Sequence, residues 1–245
     1  MKKIILLIVS LISINLSAQM ISGEEVLRNI DRNLSSKNKV VKSKMIIHGR
    51  RGIRTIESRS WIEGEEKSFT EYLSPPRERG TKMLKLKDRL WIYSPSTDRV
   101  ILISGHMLRQ SVMGSDLSYE DMMEDPRLSN NYHAEVTGID TVDGRSCWLL
   151  ELEAKNRNVS YHFRKLWVDR ERSIPLREEL YAKSGKLLKK VELKQIVWIE
   201  NRWYPKRMTF KDMLKIGKGT EFVIESIKFD VDIPQYIFSK ASLKK

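Results

Sequence analysis

The spacing of apolar side chains changes period once near the start of this 245-residue chain and then holds. Val26, Leu27, Ile30 and Leu34 recur at helical steps, which places them on one face of a helix predicted over residues 21–36. Ser22 stands before it as a cap, and Glu24 and Glu25 suit its positive start. From residue 39 the period becomes two. Alternating segments occupy 40–47, 54–62, 67–72, 81–86, 90–93 and 99–103. After an interruption they resume at 133–140, 145–154, 160–169, 176–183, 186–200, 202–211 and 220–230. Turn residues separate them, among them Pro75-Pro76, Asp143-Gly144, Ser184-Gly185 and Asn201. Strands at such spacing with hairpin connections throughout predict one antiparallel sheet that curls or closes. The expected class is mainly β (α+β), with an N-terminal helix against a single curved sheet. Trp148, Leu150 and Leu152 fall on one face of their strand, and the same alternation groups Tyr161, Phe163 and Trp167.

Residues 105–126 break the pattern. They hold Met107, Met113, Met122 and Met123, four of the ten methionines, and five carboxylates, Asp116, Glu120, Asp121, Glu124 and Asp125. Leu108, Val112, Met113 and Leu117 lie at near-helical spacing, with Met122 and Met123 beyond. Methionine is flexible and polarisable, and suits an apolar surface that must accept varied shapes. One reading is a short helical lid over an apolar space lined by Trp61, Trp91, Tyr93, Trp148 and Trp167. The other is a packed connection in a solid core, and sequence alone leaves both open. The carboxylates do not follow the order of a calcium loop. Ser118 and Asp121 have the spacing of a capping box, and Asp116 or Ser118 can cap a first turn. Pairing of the acids with Arg109 or with Arg50, Arg51 and Arg54 would latch the insert onto the sheet.

The chain start changes the setting. Lys2 and Lys3 precede an apolar run over 4–16, and Ser17-Ala18 offers a cleavage point, the pattern of an export signal. The expected mature domain is therefore 19–245, periplasmic and without a lipid-anchor cysteine at the cut. The single cysteine, Cys147, cannot form an internal disulfide. Without Lys2 and Lys3 the balance is 43 basic against 32 acidic residues, which suits contact with anionic membrane surfaces. No compact basic patch interleaved with aromatics points to nucleic acid. His48, His106, His133 and His162 are scattered, so no metal site is expected. Gly114-Ser115-Asp116 lacks the preceding buried strand and paired base of a nucleophile turn. No phosphate loop or dinucleotide fingerprint occurs. The expectation is a monomer with no catalytic residues and no cofactor.

Three stretches carry a family resemblance: GTKMLKLKDRLWIYSP over 80–95 with Arg99-Val100, MGSDLSYED over 113–121, and LWVD over 166–169 with IPL over 174–176. With IPQYIF over 233–238, they make the chain resemble the LolA-like outer-membrane lipoprotein-sorting proteins across nearly its whole mature length. That resemblance implies a half-open β-barrel with helices as a lid over an apolar cavity. It further implies carriage of lipid or lipoprotein acyl chains toward the outer membrane, between an inner-membrane transporter and an outer-membrane acceptor. The alternative is a periplasmic sensor or accessory subunit that uses the same fold to bind an envelope protein.

Overall fold

The computed structural model describes residues 21–49, 52–157 and 159–245. The export signal expected over 1–18 lies outside them, as do Arg50 and Arg51. Helix α1 (Gly23–Leu34) is capped by the Ser22 side chain, which accepts from the Glu25 amide at 3.2 Å. Its start presses on the sheet so closely that a Cβ on Gly23 would sit 2.1 Å from the Ala134 carbonyl oxygen.

Among the described residues thirteen strands follow in one antiparallel sheet that does not close. Six precede the insert: β1 (Asn38–Gly49), β2 (Gly52–Glu63), β3 (Lys67–Ser74), β4 (Lys82–Leu86), β5 (Arg89–Ser94) and β6 (Arg99–Ile103). Seven follow it: β7 (Tyr132–Val142), β8 (Arg145–Ala154), β9 (Phe163–Asp169), β10 (Pro175–Tyr181), β11 (Leu187–Ile199), β12 (Arg202–Asp212) and β13 (Thr220–Phe229). The spatial order runs from β6 down to β1, then β13 down to β7. Two meanders are thus joined where β1 pairs with β13, with Ile47 opposite Thr220 and Met45 opposite Phe222. The sheet is curved as a half-barrel: the alternation predicts a sheet that curls or closes, and the resemblance implies the half-open form.

This order has a consequence for the insert. β6 is one edge of the sheet and β7 is the other, so residues 104–131 must connect opposite edges. They do so across the inner, concave face. The half of that face built by β7–β12 is already occupied by α1, where Val26, Leu27 and Ile30 pack on Leu150, Leu152, Leu166 and Val168. Part of the outer face is covered too: over β3–β5, Ile233, Phe238 and Leu243 of the C-terminal segment pack on Phe69, Leu84 and Trp91.

The register settles which aromatics face inward. Met45 pairs with Ile56, and both touch the insert. Trp61 is therefore on the other face, beside Phe69, and Trp91 and Tyr93 follow Leu84 and Lys82 to the same side. Trp167 also points outward, packing with Cys147 and Leu176 and donating to Asp140 at 2.7 Å. The expected aromatic lining is corrected accordingly: of Trp61, Trp91, Tyr93, Trp148 and Trp167, Trp148 is the one on the inner face, and it packs with the cluster under α1. Tyr161 parts from Phe163 and Trp167, because it precedes β9 and turns inward toward Asp121.

Candidate functional site

The insert is helical only in short pieces. Tight turns cover Gly105–Arg109 and Val112–Gly114, then come α2 (Tyr119–Met123) and α3 (Leu128–Asn131). Met113 and Gly114 adopt positive φ of 52° and 74°, which breaks any continuous helix through Leu108, Val112 and Leu117. The chain doubles back on itself there, and a bridge joins Ser111 to Ser118. Ser118 and Asp121 form a reciprocal capping box at the start of α2.

Apolar contact holds the insert against the first meander. Leu117 is buried among Met45, Ile47, Ile56 and Tyr72, with Met113 and Met122 packed on the same cluster; Val112 is buried as well. Leu108, Met122 and Met123 pack on Met83, Leu90 and Ile103. Each fully buried side chain of this size stabilises by about 1.5–3 kcal/mol.

Polar contacts reach the second meander. Asp116 accepts from the Thr220 hydroxyl at 2.8 Å and from the Asp212 amide at 3.0 Å. Asp121 pairs with Lys189 of β11 and accepts from the Tyr161 hydroxyl at 2.6 Å. Glu124 meets Arg164 of β9 at 2.5 Å, and Arg164 lies 3.7 Å from Glu178. Lys85 of β4 donates to the Met123 carbonyl at 3.0 Å. Asp31 of α1 receives the Leu128 and Ser129 amides at 3.0 and 3.1 Å, satisfying the start of α3. Lys215 Nζ donates to Ser111 and to the Ser115 carbonyl, both at 2.5 Å. Among the described residues the bases that meet the insert's acids are thus Lys189 and Arg164, in place of Arg109 and Arg54; Arg50 and Arg51 lie outside the described residues. Arg54 donates instead to the Met113 carbonyl.

These charges perturb one another. Burial by itself would raise the Asp121 carboxyl, but the Lys189 ammonium, the Tyr161 hydroxyl and the Ser118 amide outweigh it and hold it below the usual carboxylate range. Burial raises the Glu178 carboxyl, only partly countered by Arg164. It also lowers Lys85, and pushes the Tyr132 hydroxyl up to about 12.

A hollow of about 280 Å³ lies between the end of α1, strands β1–β5 and the insert. Its lining mixes polar Ser35, Ser36, Lys39, Ser60, Thr70 and Lys85 with apolar Ile62, Met83, Leu90, Met122 and Phe222. Ligand sites commonly enclose about 300–1,000 Å³. A long chain therefore enters only if the insert's side chains move. Among the described residues no group of three or more metal-ligating side chains occurs.

Sequence reading missed Lys85, Arg164 and Lys189. Each carries a charge at an inward position of a two-residue alternation: Met83 and Lys85, Arg164 and Leu166, Lys189 and Val191. That misplaced charge is the signal that marks them.

A family model described as "Uncharacterized protein" matches residues 64–245. No curated protein matches the chain. Among solved structures, a DUF1329 family protein from Desulfovibrio piger superposes with a TM-score of 0.82 at 24% identity, covering 90% of this chain and 97% of its own. A domain assigned to outer membrane lipoprotein sorting from Vibrio parahaemolyticus gives 0.78 at 23%, covering 91% and 98%. A LolA superfamily protein from Nitrosomonas europaea gives 0.76 at 24%, covering 91% and 99%. The fold is shared with all three.

Proposed function

We propose that this chain, which belongs to the protein family matched over residues 64–245, is a periplasmic, non-catalytic carrier. Its cargo is the acyl chain of a lipid or lipoprotein, received on the inner face of the half-barrel and passed toward the outer membrane. The observation that carries this reading is the edge-to-edge crossing. Residues 104–131 lie over an otherwise open apolar face, held there by methionines and a few polar latches. Leu108, Val112, Met113, Leu117, Met122 and Met123 are the side chains that would give way to cargo, with Asp116, Ser118 and Asp121 fixing the closed form. Each buried methylene contributes about 0.8 kcal/mol, so a long chain gains on the order of 10 kcal/mol before ordering costs. A carrier must release that cargo, and an insert that repacks on the same face competes for it and lowers the net affinity. The lipoprotein-sorting assignment of the Vibrio parahaemolyticus domain points the same way.

The test is direct. Organic extraction of protein purified without delipidation is expected to yield acyl lipid by mass spectrometry, and a fluorescent fatty acid is expected to bind. Met122→Glu places a charge among the apolar side chains of the hollow and is expected to weaken that probe at least about tenfold while the β-sheet circular dichroism stays intact. Absence of lipid together with absence of probe uptake sinks the reading.

A carrier of this kind meets membranes, and one end of the sheet suits that contact. The β1–β2 and β12–β13 tips adjoin, with His48 donating to the Gly219 carbonyl at 3.4 Å. They expose Ile53 at 69%, Leu214 at 63% and Ile216 at 79%, beside Arg54, Lys211, Lys215 and Lys218. Exposed aliphatics beside bases fit an anionic bilayer surface, and the exposed Lys218 contributes about 1 kcal/mol near such lipids. Flotation with phosphatidylglycerol-containing vesicles is expected to retain the protein, and Leu214→Ser with Ile216→Ser to cut retention about tenfold. Equal retention by the variant, or by purely zwitterionic vesicles, removes the tip from this role. A transporter that loads the carrier and an acceptor that unloads it are the partners this reading implies.

A further inference from the structure

We propose that the hollow beneath the insert is a head-group site, in which Lys85 receives the carboxylate or phosphate of an anionic amphiphile whose chain runs under Met122 and Phe222. The inference rests on the carrier reading and narrows its cargo.

Charge bookkeeping within the hollow carries it. Three carboxylates line the space, and each has its own base outside it: Asp121 has Lys189, Glu124 has Arg164, and Glu65 has Arg127 at 2.5 Å. Lys85 is different. It is only 7% exposed, and among the described residues no carboxylate pairs with its Nζ; burial outweighs Asp125, Glu65, Glu124 and Glu66, which favour its charge from farther off. Of the three protons an ammonium can donate, one goes to the Met123 carbonyl. A buried ammonium without a counter-ion is costly, and an anion brought to it relieves that cost.

Further donors line the hollow three strands away from Lys85, along the row Lys39, Ile62, Ser68 and Lys85. The Ser35 and Ser36 hydroxyls are buried there without a partner among the described residues. Lys39 is half-buried beside them, donating to the Leu34 carbonyl at 3.2 Å. Met83, two positions along β4, and Leu90, the cross-strand partner of Lys85, stand beside it, and with Met122 and Phe222 they offer no polar group to a head group. The hollow thus sets one buried ammonium among apolar side chains, and an amphiphile matches both.

The position of Lys85 also links cargo to the insert. Its partner, the Met123 carbonyl, lies at the end of α2. An anion can take the two remaining protons while the Met123 contact stays, so the head group and the closed insert are held by the same ammonium.

The experiment compares a fluorescent fatty acid with its methyl ester on the full-length mature protein, on Lys85→Met and on Lys85→Arg, with inorganic phosphate as a competitor. Wild type is expected to bind the acid about tenfold or more tightly than the ester, the range of a charge-assisted hydrogen bond. Lys85→Met is expected to bring the acid down to the ester's affinity and leave the ester within about twofold. Lys85→Arg is expected to keep the preference, which separates loss of charge from loss of fold. Equal binding of acid and ester by wild type overturns the head-group site and leaves acyl carriage standing. So does a Lys85→Met variant that shifts acid and ester alike, since Lys85 is then only a tie to the insert. Phosphate that displaces the acid probe as well as unlabelled fatty acid does would make this a free-anion site and overturn the amphiphile. Binding of neither probe overturns the carrier reading and this inference with it.

Discussion

Replacing Arg164 by alanine is expected to destabilise the protein by about 3–5 kcal/mol, lowering Tm on the order of 10 °C. Arg164 is buried on the inner face between Glu124 at 2.5 Å and Glu178 at 3.7 Å, and its guanidinium lies 4.7 Å from the Tyr132 ring centre. Its removal leaves two carboxylates in a poorly hydrated space with no base between them. Burial already raises Glu178, and Glu124 adds to that. A raised carboxyl binds its proton in the folded state first, so the variant is expected to regain stability as pH falls through the folded Glu178 value. Glu124→Gln with Glu178→Gln in the alanine background is expected to restore a good part of the loss, because the unpaired charges are then gone. Glu124 closes α2, so the same variant is expected to expose residues 104–131 to limited proteolysis. A Tm change within about 2 °C, the scale of an exposed ion pair, would show that the cluster does not hold the insert.

The second large effect concerns Asp121, and it separates stability from function. Asp121→Asn removes the partner of the buried Lys189 ammonium, which is expected to cost about 3 kcal/mol at neutral pH. The folded Asp121 carboxyl sits below its ordinary value, so its contribution is fully present above the unfolded pKa, near 4. That contribution is lost as pH falls through the lower, folded value. The Tm gap between wild type and variant is therefore expected to be constant from neutral pH down to about pH 4 and to close below it. On the carrier reading the variant gains in binding. Weakening the closed insert removes a competitor for the inner face, and acyl-probe affinity is expected to rise at least about tenfold. A lower Tm with unchanged affinity would mean that the insert does not compete with cargo.

Much of the architecture was legible before any coordinates. The alternation from residue 39 onward placed all thirteen strands within a few residues of their observed ends, because hairpin turns and a half-buried face both write themselves locally. Helix α1 was legible for the same reason: Ser22, Glu24, Glu25 and the Val26, Leu27, Ile30, Leu34 stripe are all short-range signals. So was the place of the insert, as the one long stretch with neither period.

What alternation cannot supply is the phase. It says that Trp61 and Ile62 point opposite ways, and not which way is inward. In this protein both faces are covered, the inner one by α1 and the insert and the outer one, over β3–β5, by residues 233–243, so both carry apolar side chains. Trp61, Trp91, Tyr93 and Trp167 could be assigned to the outer face only once strand register and the C-terminal segment were known. The ion pairs were hidden for a related reason. Arg164 and Glu124 stand 40 positions apart, and Lys189 and Asp121 stand 68 apart, so nothing local joins them. Sequence by itself determined the strands, the single helix face and the presence of a Met-rich, acidic interruption, since these depend on neighbours along the chain. Tertiary structure alone decided that the interruption spans the sheet from edge to edge, that Lys189 and Arg164 hold it, and that Lys85 has no paired carboxylate among the described residues. Those outcomes depend on which strands become neighbours in space, and that is set by the pairing of β1 with β13.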